Sequence, residues 1–144
     1  MNVIIFGPPG AGKGTQSKYL VKKLNSFQVS TGDMLRDEIK KDTVIGKKII
    51  NNMNEGKFVD DEIVNKLLEK IIFDTAKKNK LIFDGYPRTI NQVKNLEFLL
   101  KKSDQKIDYI FFLNVNKEAI IKRIEKRKLL EKRSDDDANT ILKR

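Results

Sequence analysis

The sequence predicts a single α/β domain with three layers, α/β/α, built around a parallel sheet. Short apolar segments alternate with helical patterns, an order typical of a parallel sheet covered on both faces. The segment 109–113 is apolar throughout, as expected of a strand with both faces buried. A Gly- and Pro-rich turn separates the first strand from the first helix. The length of 144 residues suits one domain, and no repeat, linker or low-complexity tract divides it.

The individual elements follow from hydrophobic periodicity and from capping residues. In the helix predicted at 60–72, Asp60 is the N-cap and apolar residues form one stripe. Thr31 and Asn116 are the predicted N-caps of two further helices. A short polar segment, 128–132, precedes Asp135-Asp136-Asp137, a predicted helix start. In chain order, strands are predicted at 2–6, 27–29, 81–84 and 109–113, and helices at 13–24, 31–41, 44–54, 60–72, 89–101 and from 116 through Ile124.

Cysteine and histidine are both absent from the chain. Their absence excludes disulfides, thiolate or imidazole metal sites, and catalysis by His or Cys. No apolar run approaches the roughly 18 residues that a membrane span needs. The N-terminus reaches Gly7 too soon for a signal peptide, so we expect a cytoplasmic protein.

The chain is strongly basic, with a net charge of +10. Lysines occur in every segment, tryptophan is absent and most Phe and Tyr residues lie inside apolar runs, so we interpret the charge as a solvated surface. We expect a monomer with neither a nucleic-acid nor a membrane partner. Arginines number only six among 30 basic residues, and guanidinium is the group preferred for oxyanion recognition. They are therefore candidate phosphate ligands: Arg36, Arg88, Arg123, Arg127, Arg133 and Arg144.

The strongest local signal is the turn after the first strand, Gly7-Pro8-Pro9-Gly10-Ala11-Gly12-Lys13-Gly14-Thr15. Glycines let the backbone wrap a phosphate with its N–H groups inward, the following helix adds its dipole, and Lys13 reaches the β- and γ-phosphates. An ordinary Gly-rich turn is the alternative, which the order strand, loop, helix disfavours. Gly14 sets the Thr15 hydroxyl one residue later than in the general pattern. The turn is thus a predicted nucleotide-binding loop.

Ligands of parallel sheets bind at the carboxyl ends of the strands. The glycine-rich turn, Asp84 and the segment after Leu113 all belong to that edge. Asp84 is either a turn residue or a contact to Mg²⁺ through water. The chain between Thr31 and Val59 has helical patterns without a strand, so we expect an insertion beside the site.

These motifs resemble those of the adenylate kinases, in the nucleoside monophosphate kinase family, in order along the whole chain. The Gly-Lys-Gly-Thr form of the loop is the first of them. The others are Ser30-Thr31-Gly32-Asp33-Met34-Leu35-Arg36, Gly56-Lys57-Phe58-Val59, Phe83-Asp84-Gly85-Tyr86-Pro87-Arg88-Thr89 with Gln92, and Arg123, Arg127, Arg133-Ser134-Asp135-Asp136 and Arg144.

The resemblance implies a P-loop NTPase-like fold in one domain spanning 1–144. Its core would comprise 1–30 and 60–122, with a helical insertion for the nucleoside monophosphate at 31–59 and a short lid at 123–136. A lid this short, and without cysteine, implies no zinc. The family's last strand and covering helix have no counterpart up to Arg144, which would leave 109–113 as an exposed, aggregation-prone sheet edge.

The resemblance also implies Mg²⁺-dependent phosphoryl transfer from ATP to AMP, giving two ADP. The implied catalytic residues are Lys13, Arg88, Arg127, Arg133 and Arg144. ATP would contact Gly10, Ala11, Gly12, Lys13, Gly14, Thr15, Arg123 and Arg127. Thr15 and Asp84 would bind Mg²⁺, directly or through water. AMP would contact Thr31, Arg36, Lys57, Phe58, Val59, Gly85, Tyr86, Pro87, Arg88, Gln92, Arg133 and Arg144.

Simpler interpretations of several of these residues remain open. Thr31 and Gln92 also fit helix-capping roles, Gln92 as the partner of Thr89 in a capping box. Arg123 and Arg127 are four residues apart and also fit solvated ion pairs. The competing functions are a UMP/CMP or other nucleoside monophosphate kinase, and a nucleotide-binding chain without full activity. A regulatory GTPase is disfavoured because Asp-x-x-Gly and Asn-Lys-x-Asp are absent.

Overall fold

The computed structural model describes residues 1–41, 43–54 and 59–131. Its centre is a sheet of four parallel strands in the order β2-β3-β1-β4, which confirms the predicted α/β architecture. The strands are β1 (Val3–Phe6), β2 (Phe27–Ser30), β3 (Leu81–Asp84) and β4 (Tyr109–Phe112).

The helices connect these parallel strands, as the alternating pattern predicts. A single 3₁₀ turn, Thr75–Lys77, precedes β3. The helices are α1 (Lys13–Leu24), α2 (Thr31–Lys40), α3 (Val44–Asn54), α4 (Asp61–Ile72), α5 (Ile90–Lys102) and α6 (Lys117–Glu131).

The strand register brings two functional segments to one edge of the sheet. Ile5 of β1 pairs with Asp84 of β3, and Ser30 of β2 also pairs with Asp84. The glycine-rich turn follows directly after Phe6, so it begins beside Asp84. This is the carboxyl edge at which ligands of parallel sheets bind.

The larger hydrophobic core lies on one face of the sheet. There α4 contributes buried Val64, Leu68 and Ile72 at the spacing of one helical stripe, as its sequence predicts. The rest of this core comes from the strands and from α2, α3 and α5, and includes Ile4, Val29, Leu35, Ile49, Phe83, Tyr86, Leu96, Leu99 and Leu100. A smaller core consists of Val3, Ile5 and Ile82, and the partly buried Leu20 and Val21 of α1 pack against it.

The capping predictions are confirmed at three helices and wrong by one residue at a fourth. The side chains of Asp60, Thr89 and Asn116 accept hydrogen bonds from the backbone N–H groups of Glu62, Gln92 and Ala119. Thr31 was the predicted cap of α2, but Ser30 is the N-cap and its hydroxyl accepts from the Asp33 N–H. Serine and threonine cap comparably, so their adjacent positions made the boundary ambiguous.

The segment 128–131, part of the polar segment noted at 128–132, continues α6. One further prediction is wrong. The strand at 109–112 is not buried on both faces: the exposed fractions of Tyr109, Ile110, Phe111 and Phe112 are 56%, 62%, 47% and 69%. β4 is the outermost strand of the sheet in the described part of the chain.

Candidate functional site

The glycine-rich turn forms a compact loop whose shape depends on glycine at two positions. Gly10 and Gly12 have φ angles of +78° and +95°, in the left-handed region that favours glycine. A Cβ at Gly10 would lie 2.9 Å from Cγ1 of Ile124, so only glycine lets α6 approach this closely. Gly12 is the N-cap of α1, whose first residue is Lys13. The loop thus leads into the positive end of a helix, an arrangement suited to an anion.

The Lys13 ammonium lies across the start of this loop. Its Nζ donates to the carbonyl oxygens of Gly7, at 2.8 Å, and Pro8, at 2.9 Å. Burial lowers the pKa of Lys13, and the charge of Asp84 opposes that shift. A cation held against weak neutral acceptors is well placed to exchange them for phosphate oxygens.

Asp84 ends β3 and faces the same loop. Burial raises the pKa of its carboxyl group, while a hydrogen bond from Gln28 and the charge of Lys13 lower it. The Gln28 Nε2 donates to Asp84 Oδ2 at 2.9 Å, which restrains the rotation of the carboxylate. Gln28 was not among the predicted site residues. Its only signal in the sequence was a polar side chain inside a short strand.

Four arginines line the same region, and three of them bond to an oxygen of the chain itself. Arg36 forms an ion pair with Asp33 at 2.5 Å, Arg88 Nε donates to the Gly85 carbonyl at 2.5 Å, and Arg123 Nη1 donates to the Ala11 carbonyl at 3.2 Å. Arg127 is close enough to Lys13 to lower its pKa. Arg123 thus contacts the backbone of the loop, while the ion-pair alternative for Arg123 and Arg127 stays open.

These groups surround one open cleft at the carboxyl edge of the sheet. The cleft is lined by most of the predicted nucleotide-binding residues: Gly10, Ala11, Gly12, Lys13, Gly14, Thr15, Thr31, Arg36, Val59, Asp84, Gly85, Arg88, Arg123 and Arg127. Ser30 and Asp33, from the family-like segment 30–36, also line it, as does Gln28, which was not predicted to do so.

A smaller pocket adjoins the cleft between α2, α4 and the start of α5. It is lined by Thr31, Leu35, Val59, Val64, Tyr86, Arg88 and Gln92. Its apolar walls and single buried amide suit a flat heterocycle with a hydrogen-bonding edge. Pro87, a further predicted AMP contact, is buried after a cis peptide bond with Tyr86 and lines neither space.

The remaining predicted site residues, Lys57, Phe58, Arg133 and Arg144, lie outside the described residues, as do Asp135-Asp136-Asp137.

The donor atoms near the loop suit a magnesium ion held mainly by phosphate and water. Asp84 supplies a carboxylate, its Oδ2 lying 3.5 Å from where a Cβ at Gly14 would be, and Thr15 lines the same cleft with a hydroxyl. Among the described residues, no cluster of three or more acidic side chains offers a complete protein cage. Mg²⁺ typically uses one or two carboxylates and completes its shell with water and substrate phosphates, so these residues fit it.

Comparison with known proteins agrees with this geometry. The family model described as "Adenylate kinase" matches residues 5–144. The chain is 52% identical over 132 residues to an adenylate kinase of Pelagibacter ubique, covering 92% of this chain and 62% of that protein. It is 50% identical over 127 residues to one of Mycoplasma capricolum, covering 88% and 59%, and 41% identical over 144 residues to one of Porphyromonas gingivalis, covering 100% and 74%.

The chain thus spans about three fifths of the length of the first two of these relatives. In the described part of the chain, no helix is long and apolar enough to cross a membrane. With the loop, the Asp84 strand end and the arginines around one cleft, and a family match over nearly every residue, the chain belongs to the adenylate kinase family.

Proposed function

We propose that this chain carries the ATP:AMP phosphotransferase activity for which its relatives are named, transferring the γ-phosphoryl group of ATP to AMP to give two ADP. The main support is one observation: Lys13, Asp84 and four arginines surround a single cleft beside the glycine-rich loop. Such a concentration of cations is what phosphoryl transfer between two polyanions requires. The proposed setting is a monomer in the cytoplasm.

The chemistry suits a chain without histidine. The attacking oxygen belongs to a phosphate that is already anionic, so no general base is needed. Catalysis then consists of positioning two nucleotides and neutralising charge on the moving group. Mg²⁺, when bound with ATP, supplies part of that neutralisation, and Thr15 and Asp84 would hold it directly or through water.

Each end of the cleft has a proposed task. On the donor side, the loop amides, Lys13 and Arg123 hold ATP. On the acceptor side, Arg36 and Arg88 hold the AMP phosphate, with Arg88 next to the transferred group. Arg127, together with Arg133 and Arg144, would close over both nucleotides.

Water has to be excluded, since otherwise the site would hydrolyse ATP. We assign this task to the segments 31–59 and 123–136, which would move as flaps over the cleft. The described parts of both border the cleft, at Thr31, Arg36, Val59, Arg123 and Arg127.

The test is a coupled assay of ADP formation by this chain from ATP plus AMP, with ATP alone as the control. We expect ADP only when both nucleotides are present. Comparing AMP with CMP, UMP and GMP separates an adenylate kinase from the alternative nucleoside monophosphate kinases. A folded chain that binds ATP but forms no ADP above the control would contradict the proposal and leave a nucleotide-binding role.

A further inference from the structure

The side chain of Gln92 is the polar group best placed to read a ligand in the small pocket. Gln92 is only 4% exposed, and it lines the pocket from the first turn of α5. Four hydrogen bonds hold its backbone or side chain. Two of them involve the amide: Oε1 accepts from the Arg88 N–H at 2.7 Å, and Nε2 donates to Asp61 Oδ1 at 2.6 Å. The other two involve the backbone: the Tyr86 hydroxyl donates to the Gln92 backbone carbonyl at 3.2 Å, and the Gln92 N–H donates to the Thr89 hydroxyl at 3.2 Å.

The two amide partners fix which way round the Gln92 amide lies. A backbone N–H can only donate and a carboxylate can only accept, so the oxygen must face Arg88 and the nitrogen must face Asp61. In a flipped amide, the NH₂ group would face the Arg88 N–H, which is also a donor, and the oxygen would face the Asp61 carboxylate, which is also an acceptor. Glutamine amides often have no such restraint, because partners that both donate and accept allow either orientation.

Asp61 and Gln92 lie on different helices, α4 and α5. Asp61 is the first residue of α4 and half-buried, directly after the N-cap Asp60. A second amide contact, from Asn95 Nδ2 to Asn65 Oδ1 at 2.8 Å, joins the same two helices. Two side-chain hydrogen bonds therefore join α4 to α5 beside the pocket.

We propose that Asp61 is a specificity-determining positioning residue, which locks the Gln92 amide so that the pocket accepts a 6-aminopurine and rejects a 6-oxopurine. This inference rests on the proposed function, since it concerns the acceptor nucleotide of the same cleft. After its two internal bonds, the Gln92 amide retains one oxygen lone pair and one N–H for a ligand.

The edge of adenine matches that remaining pair. Its exocyclic amino group donates and its N1 accepts, so the amino group meets Gln92 Oε1 and N1 meets Gln92 Nε2. Hypoxanthine and guanine present the opposite order, an O6 acceptor beside an N1–H donor. Against a locked amide both contacts become repulsive, whereas an amide free to flip would satisfy either edge. Sites built around directed hydrogen bonds discriminate in this way far more strongly than apolar pockets.

The experiment compares dissociation constants of AMP and IMP, which differ in the base only at position 6 and its neighbouring N1 proton, measured by calorimetry. Asp61→Asn keeps the size of the side chain but can both donate and accept, so it removes one of the two restraints and leaves only the Arg88 N–H to orient the amide. We expect the preference for AMP over IMP to fall at least about tenfold, since a tenfold ratio corresponds to about one lost hydrogen bond. Asp61→Ser, which is too short to reach the amide, should give the same loss.

Asp60→Asn is the matched control, because it changes the neighbouring carboxylate and perturbs the same helix start without touching Gln92. We expect it to keep the wild-type ratio of AMP to IMP affinity. Each ratio comes from one sample, so it does not depend on the folded fraction. A wild-type preference that persists in both Asp61 variants would overturn the role of Asp61 alone. A wild-type chain that binds AMP no better than IMP, or not at all, would overturn the inference together with the proposed acceptor.

Discussion

The strands β3 and β4 both pair with β1 and have similarly apolar sequences, yet their surroundings are opposite. Leu81, Ile82 and Phe83 of β3 are each 0% exposed, whereas the residues of β4 are between 47% and 69% exposed. β3 lies between two other strands, and its end carries Asp84 into the cleft. The contrast teaches that an apolar run predicts a strand, while its burial depends on elements elsewhere in the fold.

The most severe test of this contrast removes a matched aromatic ring from each strand. Phe83→Ala should lower the free energy of unfolding by about 3–5 kcal/mol, because it opens a cavity in a packed core. Phe111→Ala, at a position 47% exposed, should cost less than about 1 kcal/mol. Urea denaturation followed by circular dichroism gives both values. Equal losses at the two positions would show that β4 is as well covered as β3.

A second test asks whether the segment after β3 carries the chemistry. Arg88→Lys keeps the charge but loses the planar fork that matches a phosphate, so kcat for ADP formation should fall at least about 100-fold, or about 2.7 kcal/mol. Unfolding free energy should change little, since the Arg88 residue is exposed. A decrease of less than threefold would refute the proposed role of Arg88.

A third test concerns the support that β2 gives to the end of β3. Gln28→Leu removes the donor that restrains Asp84, so we expect about a tenfold loss of kcat, or about 1.4 kcal/mol. The concentration of Mg²⁺ needed for half-maximal ATP binding should rise as well, which a purely structural defect would not cause. Unchanged Mg²⁺ dependence would mean that the Gln28–Asp84 bond does not bear on the metal.

The smallest effect is expected at β4, the outermost strand of the sheet among the described residues. Ile110→Lys places a charge on a side chain that is already 62% exposed, so the unfolding free energy should change by less than about 0.5 kcal/mol. Self-association of the 144-residue chain should decrease, because charged side chains protect open sheet edges. Light scattering over a concentration series measures self-association. If it is unchanged in the variant, the chain associates through a surface other than β4.

The sequence predicted the parts of the fold that depend on local patterns. The alternating elements, the glycine-rich loop and the Asp60, Thr89 and Asn116 caps all arise from neighbouring residues, and each is confirmed. The loop residues and four arginines were predicted as phosphate ligands, and they line one cleft. Their individual roles stay predictions.

The missed features arise from contacts between distant residues. Gln28 meets Asp84 across 56 positions, and Asp61 meets Gln92 across 31, so no local pattern marks either pair. The expected capping box at Thr89 is confirmed only in part. Thr89 accepts from the Gln92 N–H, but the Gln92 side chain bonds the N–H of Arg88 and the carboxylate of Asp61. The local pattern predicted that the Gln92 side chain would bond the Thr89 N–H, and contacts with Arg88 and Asp61 replace that bond.

The close approach of Ile124 to Gly10 couples the position of α6 to that of the glycine-rich loop. With 2.9 Å between Cγ1 of Ile124 and the place of a Cβ, even the methyl group of an alanine would act as a wedge. It would push α6 outward, and Arg123 and Arg127 would travel with the helix that carries them. The absence of a side chain at Gly10 therefore sets how closely Arg123 and Arg127 approach the loop.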